Sequence, residues 1–108
     1  MKKPADLLTD LGRFSEPALL ILISLAEGPK HGYAMTQDIE QVSGQRLGPG
    51  TLYGAIARLE ARKWIEPLPA EDRRRPYRLT GAGQKVLRAR LESLRTVAKI
   101  GHSRLVEN

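Results

Sequence analysis

Residues 46–81 read RLGPGTLYGAIARLEARKWIEPLPAEDRRRPYRLTG, and the order of elements in this stretch decides the fold. Pro49 suits the first turn of a helix, where no backbone N–H donor is needed. Leu52, Ile56 and Leu59 follow at i, i+4 and i+7, so they share one face of that helix. The spacing predicts a helix that begins at Pro49 and has one apolar side.

Two strand-like segments follow this helix. Trp64 and Ile65 begin the first, residues 77–79 form the second, and residues 71–76 form a turn that carries three consecutive arginines. A helix followed by a β-hairpin with a basic tip is typical of a winged helix. There the helix enters the major groove of DNA while the hairpin reaches phosphates or the minor groove. The predicted fold class is therefore mostly α with a small β-hairpin.

The positive charge of the chain is concentrated in the same region. The 108 residues carry a formal net charge of +6. Residues 58–90 hold ten Lys or Arg against four Asp or Glu, whereas the charges in the rest of the chain cancel. This asymmetry favours a polyanionic partner such as DNA. A basic face that only keeps the protein dissolved stays open as the alternative.

The composition also argues against several other classes of protein. The chain has no cysteine, which excludes disulfides and thiolate metal sites and fits a reducing cytoplasm. Its longest apolar stretch, residues 18–26, is too short to span a bilayer, and we read no export signal. His31 and His102 lack partners at ligand or nucleophile–base spacing, so His31 is assigned a capping or packing role. We expect a cytoplasmic protein with no enzymatic activity, cofactor, metal or membrane partner.

The rest of the sequence reads as helices. Apolar spacing and Gly or Pro punctuation predict a short helix over residues 4–12, a nearly all-apolar one over 17–27 and an amphipathic one over 32–42. A long helix runs from Thr80 nearly to the end. We therefore expect residues 1–79 to form a winged helix-turn-helix domain, and residues 80–108 to form a C-terminal dimerisation helix.

The face of the helix from Pro49 that lies opposite its apolar side is small and hydroxyl-rich. Small residues let the backbone approach closely, and free amides at a helix start attract phosphate. Hydroxyls and guanidiniums bind phosphates or base edges. Lys30 is assigned a phosphate contact beside Tyr33. For the helix, the alternative is an ordinary surface helix on which Tyr53 merely packs against a neighbour. For the three arginines, the alternative is a solvated turn. The residues assigned to DNA contact are Tyr33, Gly50, Thr51, Tyr53, Gly54, Arg58, Arg73, Arg74 and Arg75.

Apolar residues recur along the C-terminal helix at heptad spacing. The stripe is longer than one small domain needs, so a second copy of the chain is expected to cover it. Two identical recognition helices about one DNA turn (~34 Å) apart would read a palindrome. The alternative is that the helix packs on its own domain through Leu87 and Leu91 only. Small residues in the stripe also suggest a groove for a small apolar effector. The predicted dimer interface is Leu87, Leu91, Leu94, Val97, Ala98, Gly101 and Leu105.

These residues together resemble the PadR-like transcriptional regulators. The match runs in order through His31-Gly32-Tyr33, the LGPGTLY segment at 47–53, Arg58-Leu59-Glu60 and the YRLT segment at 77–80. It covers about half the chain. The resemblance implies a winged helix-turn-helix repressor that dimerises through its C-terminal helix. A short terminal helix is similar to the smaller branch of the family, some of whose members bind flat aromatic or drug-like molecules at the dimer centre.

The chain departs from that family pattern at several positions. Gly48 stands where a capping Ser is usual. Gly54 replaces a proline after the tyrosine, which loosens the helix by about 1 kcal/mol relative to Ala. Lys63 stands where Gly closes the helix, so either it adopts a left-handed conformation or the turn differs. The C-terminal helix has no aromatic residue, which argues against a stacking drug site.

Charge, element order and resemblance together predict a sequence-specific DNA-binding repressor that acts as a homodimer on a palindromic operator. Release by a small apolar effector is a further hypothesis. A winged-helix protein-interaction adaptor and a ligand sensor without DNA binding stay open as rivals. DNA binding that is absent or insensitive to salt would favour the adaptor.

Overall fold

The computed structural model describes residues 16–107. The helix predicted over residues 4–12 lies outside this range. Within it the chain is mostly helical with one small hairpin, which confirms the predicted fold class. The elements in order are α1 (Pro17–Ala26), α2 (Gly32–Ser43), α3 (Pro49–Ala61), β1 (Ile65–Pro67), β2 (Tyr77–Leu79) and α4 (Gly81–Glu107).

The first helix, α1, is the buried centre of the fold. It contacts α2, α3, α4 and β2, because a helix that is apolar around most of its circumference must be covered on several sides. Burial of one Leu or Ile side chain contributes about 1.5–3 kcal/mol, so this helix organises the others. The core consists of Leu19, Leu20, Ile21, Leu22, Leu25, Met35, Ile39, Leu47, Leu52, Ala55, Ile56, Leu59, Ile65 and Leu87.

Helices α2 and α3 form the helix-turn-helix. His31 caps α2, since its Nδ1 accepts a hydrogen bond from the backbone N–H of Ala34 at 3.4 Å. This confirms the capping role assigned to His31. Gly44 ends α2 with a φ of 74°, a left-handed conformation that favours glycine. The buried Leu47 then anchors the turn to the core before α3 begins.

Helix α3 begins at Pro49, as predicted, and ends at Ala61. Its three pattern residues are all buried, which confirms the apolar side read from the sequence. Gly48 is the N-cap and offers no side-chain hydrogen bond. Lys63 has a φ of 62°, so it takes the left-handed conformation that glycine usually supplies at this place.

A glycine inside α3 makes a stability test of the recognition helix possible. A Cβ on Gly54 would meet only Nη1 of Arg58, at an ordinary 3.7 Å. Gly54→Ala is therefore expected to raise the free energy of unfolding by about 0.5–1 kcal/mol, because alanine has less backbone entropy to lose. Gly44→Ala is the opposing control, since its positive φ disfavours a Cβ and stability should fall. Urea unfolding of both variants measures whether the free energy of unfolding rises or falls in each. Equal effects would contradict this assignment of the backbone.

Strands β1 and β2 pair antiparallel, with Ile65 opposite Leu79 and Pro67 opposite Tyr77. The other edge of Tyr77 pairs with Lys30, whose backbone N–H and C=O exchange hydrogen bonds of 3.1 and 3.0 Å with it. The loop between α1 and α2 is thereby attached to the hairpin. The hairpin consequently lies against the start of α2, a long-range pairing that the sequence pattern did not indicate.

The turn of the hairpin is tighter than the sequence indicated. Glu71 and Arg74 exchange backbone hydrogen bonds of 2.7 and 2.8 Å, so the turn spans residues 71–74 rather than 71–76. Asp72 and Arg73 occupy its two central positions with φ of 48° and 67°. Positive φ at both positions matches the right-handed twist of the flanking strands.

The C-terminal helix, α4, is fastened to the domain at its first turn. The Thr80 hydroxyl accepts a hydrogen bond from the Gly83 N–H at 3.0 Å and donates one to the Lys63 carbonyl at 2.7 Å. Gly83 itself packs on the carbonyl of Trp64, where a Cβ would overlap the oxygen. The start of α4 therefore docks directly on the chain that leaves α3.

Beyond this anchor α4 leaves the domain. Leu87 is 5% exposed and belongs to the core, whereas every residue from Arg88 to Val106 is exposed. The 27 residues of the helix extend for about 40 Å at 1.5 Å per residue. No helix within residues 16–107 is long and apolar enough to cross a membrane.

Candidate nucleic-acid interface

A crevice lies between the hairpin and the starts of α2 and α3. It brings together five of the residues that the sequence assigned to DNA contact, although they come from three separate elements. Three further residues complete it, and the sequence analysis had not assigned those to DNA contact. The full lining is His31, Gly32, Tyr33, Tyr53, Arg73, Arg74, Arg75 and Tyr77.

The tyrosine at the start of α3 is positioned by a glycine of α2. The Tyr53 hydroxyl lies against Gly32, and a Cβ on Gly32 would overlap that oxygen and come within 2.9 Å of Cζ. A side chain at this position would displace the end of the ring, so the absence of a Cβ lets Tyr53 keep this position. Tyr53 nevertheless remains 53% exposed. Its packing on a neighbour and its availability to a ligand, which the sequence analysis had posed as alternatives, therefore coexist.

A second groove continues from this crevice between α2 and α3. Tyr33 stands at its rim, and its hydroxyl accepts a hydrogen bond from Nε2 of Gln37 at 3.3 Å. Two of its lining residues, Leu47 and Leu52, are buried core residues. Its lining residues are Gly32, Tyr33, Thr36, Arg46, Leu47, Gly48, Pro49, Leu52 and Tyr53.

The outward face of α3 carries the remaining assigned residues. Gly50, Thr51 and Arg58 are exposed, while Gly54 is partly covered. Nη1 of Arg58 lies near Gly54, so the guanidinium folds along the helix surface rather than projecting away from it. This face is narrow, uncharged at its first turn and positive toward its end.

The three arginines of the hairpin are not equivalent. Arg73 sits in the turn itself, exposed and without a side-chain hydrogen bond or ion pair to any residue from 16 to 107. Nη1 of Arg74 points back to Nε2 of His31 at 3.5 Å, and Nη1 of Arg75 donates to the Leu68 carbonyl at 3.2 Å. The sequence presented three side chains at one tip, whereas the fold places one at the tip and two along its inner side.

Lys30 does not face the crevice, contrary to the phosphate contact assigned to it. Its side chain is only 13% exposed, and Nζ donates to the Ser24 carbonyl. Two carboxylates lie near the same ammonium, Glu27 at 3.4 Å and Asp38 at 3.9 Å. Lys30 is therefore a structural residue that joins α1 to α2, because an ammonium with these partners has little to offer a phosphate.

Tyr77 contributes a neutral hydroxyl to the wall of the crevice. Burial, and then the Glu60 carboxylate, raise its pKa above the ordinary value of 10.0, although Arg75 acts in the opposite direction. The phenol therefore stays protonated at any physiological pH and remains a hydrogen-bond donor. Sequence reasoning placed Tyr77 in a strand and in the family motif but not in the crevice, since nothing local indicates that the hairpin folds against α2.

The predicted dimer residues divide into two groups. Leu87 lies in the core of its own chain, so this residue departs from the predicted interface because α4 packs there on α1. The others form an exposed stripe, from Leu91 at 43% to Leu105 at 74% exposure. Ile100 joins them at 47%. A cleft between this helix and α1 is lined by Ala26, Leu79, Gln84, Leu87, Arg88, Leu91, Glu92 and Arg95.

Comparison with known proteins identifies the family. Residues 21–89, which include α2, α3, the hairpin and the start of α4, match the model of the transcriptional regulator PadR-like family. The chain belongs to the PadR-like family. This confirms the resemblance read from the sequence, and the order of elements is that of a DNA-binding winged helix. Members of the family are transcription regulators rather than enzymes. Among residues 16–107 no group of His, Asp and Glu is placed to hold a metal ion.

Individual relatives of this PadR-like chain show how far the similarity extends. Transcriptional regulator Rv3488 of Mycobacterium tuberculosis is 37% identical over 84 residues, which cover 75% of this chain and 78% of that protein. An uncharacterized 37.1 kDa protein in transposon TN4556 of Streptomyces fradiae is 51% identical over 82 residues. That match covers 76% of this chain and 24% of the transposon protein, so the chain spans about a quarter of its length.

A solved structure provides the comparison in three dimensions. The structure of a transcriptional regulator from Clostridium thermocellum superposes with a TM-score of 0.71 at 27% sequence identity. The match covers 91% of this chain and 96% of the other. The likeness therefore extends over almost the whole of both chains.

Proposed function

We propose that this PadR-like regulator is a repressor that binds a palindromic operator as a homodimer in the cytoplasm. The observation that carries the proposal is the convergence of Tyr33, Tyr53 and three arginines on one crevice beside the outward face of α3. Hydroxyls and guanidiniums at such a helix start are the donors that phosphates and base edges accept. Two copies are needed because a single α3 reads only a few base pairs.

In the proposed complex α3 enters the major groove and the hairpin lies on the adjoining backbone or minor groove. Gly50, Thr51 and Gly54 keep the front of α3 narrow, so that the backbone comes close to the bases. Arg58, farther along the helix, is the residue proposed to read a base edge. The arginines of the hairpin, Arg73 to Arg75 (the wing arginines), bind phosphates. Contacts to phosphates carry no sequence information but hold the protein in register on the duplex.

The same proposal assigns DNA binding and dimerisation to different parts of the chain. Residues 1–79 bind DNA, and residues 80–108 pair the two copies through the exposed stripe of α4 (Leu91, Leu94, Val97, Ala98, Gly101 and Leu105). A small apolar effector would enter the cleft between α1 and α4, where the apolar wall is formed by Ala26, Leu79, Leu87 and Leu91. Its binding would change the angle between the two reading helices and so release the operator.

Selection of bound duplexes from a random pool, with the mass of the complex measured alongside, tests the proposal. We expect a palindrome with half-site centres about 10 base pairs apart and two chains per duplex. Asymmetric or unselective binding, or a single chain per duplex, would remove the palindromic homodimer from consideration. Absence of binding at low salt would favour the protein-interaction adaptor instead.

The role of Arg58 is tested in the same selection. Arg58→Ala is expected to lose discrimination at one position of each half-site, by about tenfold, because one base contact contributes roughly 1–3 kcal/mol. Overall affinity for unrelated DNA should change little. Lys85→Ala is the matched control, since it removes one exposed cation from α4 rather than from α3. An unchanged selected motif would show that Arg58 is not the reader.

A further inference from the structure

The charges beside the exposed stripe of α4 are all of one sign. Leu91, Leu94, Ala98, Gly101 and Leu105, the α4 seam, follow one another at intervals of three, four, three and four residues. This is the spacing of the inner positions of a heptad. Each heptad has one border position on each side of the seam. Charges at these border positions decide which helix can pair with the seam.

The border residues contain arginine but no acid. One border holds Arg88, Arg95 and His102, and the other holds Arg90, Val97 and Arg104. The two acids of the helix, Glu92 and Glu107, lie outside both borders. Among residues 16–107 only Arg90 of these arginines has an ion-pair partner, Glu16 at 3.9 Å. The seam is thus apolar in the middle and cationic along both edges.

Self-pairing along this seam places like charges together in either orientation. In a parallel pair each border faces the opposite border of the partner helix, and in an antiparallel pair each border faces its own counterpart. Both arrangements bring cations of one copy near cations of the other. Ala98 and Gly101 are small, and no atom lies near Gly101, so the two backbones approach closely and the arginines cannot separate widely.

We propose that the α4 seam pairs two copies of this chain only weakly until anions neutralise its arginine borders, so that dimer assembly is coupled to polyvalent oxyanions. The occupant is a second copy because the exposed apolar stripe continues to Leu105, far beyond the core that Leu87 joins. The inference rests on the proposed homodimer. Its consequence is that the dissociation constant of the dimer, and not only DNA affinity, depends on the ionic environment.

Sedimentation equilibrium of the full chain tests this coupling. At about 50 mM NaCl, where exposed charges are screened only over distances beyond roughly 14 Å, the dimer should be weak. Sodium sulfate at equal ionic strength should lower the dimer dissociation constant more than NaCl does. Sulfate also strengthens apolar association in general. A charge variant is therefore needed to separate neutralisation of the arginines from this general strengthening of apolar association.

Arg95→Glu places a carboxylate in a border that otherwise holds only cations and histidine. It is expected to lower the dissociation constant by about tenfold at low salt, since the two repulsions between Arg95 and Arg90 across a parallel dimer become attractions. Added salt should then weaken the variant dimer. Lys99→Glu makes the same charge change outside the borders, so its effect should be much smaller.

The outcomes separate the inference from the proposed function. A dimer of the parent chain that ignores salt, together with an Arg95→Glu dimer no tighter than the Lys99→Glu dimer, overturns the anion coupling alone. A chain that stays monomeric in every salt, free and on DNA, overturns both the homodimer and the coupling.

Discussion

Replacing Arg73, Arg74 and Arg75 together with alanine is expected to weaken DNA binding by at least about 100-fold at physiological salt. Each arginine–phosphate contact contributes on the order of 1 kcal/mol, and a dimer loses two sets. The loss should be similar for operator and unrelated DNA, since phosphates carry no sequence information. The salt dependence should flatten by about one unit in the log–log slope for each contact removed.

The geometry of the hairpin predicts a rank order among the single variants. Arg73→Ala should lower affinity most, because Arg73 has no side-chain partner within residues 16–107 and is available to a phosphate. Arg75→Ala should cost less, since its guanidinium already donates to the Leu68 carbonyl. Arg74→Ala also removes the contact with His31 that holds the wing against α2. Its effect should therefore combine lost charge with altered wing position.

A matched control distinguishes specific contact from loss of net charge. Lys85→Ala combined with Lys99→Ala removes two exposed cations from α4, and affinity is expected to change by less than about threefold. Fluorescence anisotropy over a series of NaCl concentrations gives both affinity and slope. If the wing triple variant and the α4 double variant lose equal affinity per charge, the hairpin is not a DNA contact and the crevice loses its proposed role.

Gly83→Ala is expected to lower the free energy of unfolding by about 2–4 kcal/mol. A Cβ there would overlap the Trp64 carbonyl oxygen and lie 2.9 Å from the Trp64 carbonyl carbon and 2.8 Å from Cδ1 of Leu79. Two of these three atoms belong to the backbone, so relief requires α4 to move away from β1. The Thr80 hydroxyl would then lose its bonds to Gly83 and Lys63 as well.

A glycine two residues earlier provides the control for Gly83. Gly81 is the first residue of α4, and no atom lies within 4 Å of the place where its Cβ would sit. Gly81→Ala should therefore keep or slightly raise stability, because alanine favours the helix. Thermal unfolding at one fixed protein concentration is the measurement, since dimerisation makes the melting temperature depend on concentration. Equal melting temperatures for the two variants would refute the close packing at Gly83.

The part of the interface that lies within one element was readable from the sequence. Gly50, Thr51 and Arg58 fall opposite the buried face of α3 by helical period alone, and the structure leaves them exposed. The same reasoning could not recognise Lys30 as a structural residue. Its ammonium is hydrogen-bonded to the Ser24 carbonyl and ion-paired with Glu27 and Asp38. That arrangement exists only after α1 and α2 have packed.

The crevice itself depends on contacts between residues far apart in the chain. Arg74 reaches His31 across 43 positions, and Tyr77 joins the loop before α2 through a bridge to Lys30. A local pattern reports the period of one segment and carries no information on which segments meet. The three arginines were therefore assumed to have the same environment because they are adjacent in the sequence. The two-residue turn instead gives them different environments.

Hydrophobic period, punctuation by Gly and Pro, and charge density along the chain determined by themselves that this is a basic winged helix, and its sequence motifs added the resemblance to the PadR-like family. These signals are local, and each helix or strand has to satisfy its own backbone and bury its own apolar face whatever the others do. Tertiary structure alone decided that Leu87 belongs to the core, that Tyr53 rests on Gly32, and that one wing arginine stands clear of the other two. Those outcomes depend on how close packing arranges separate elements around α1, which no single segment encodes.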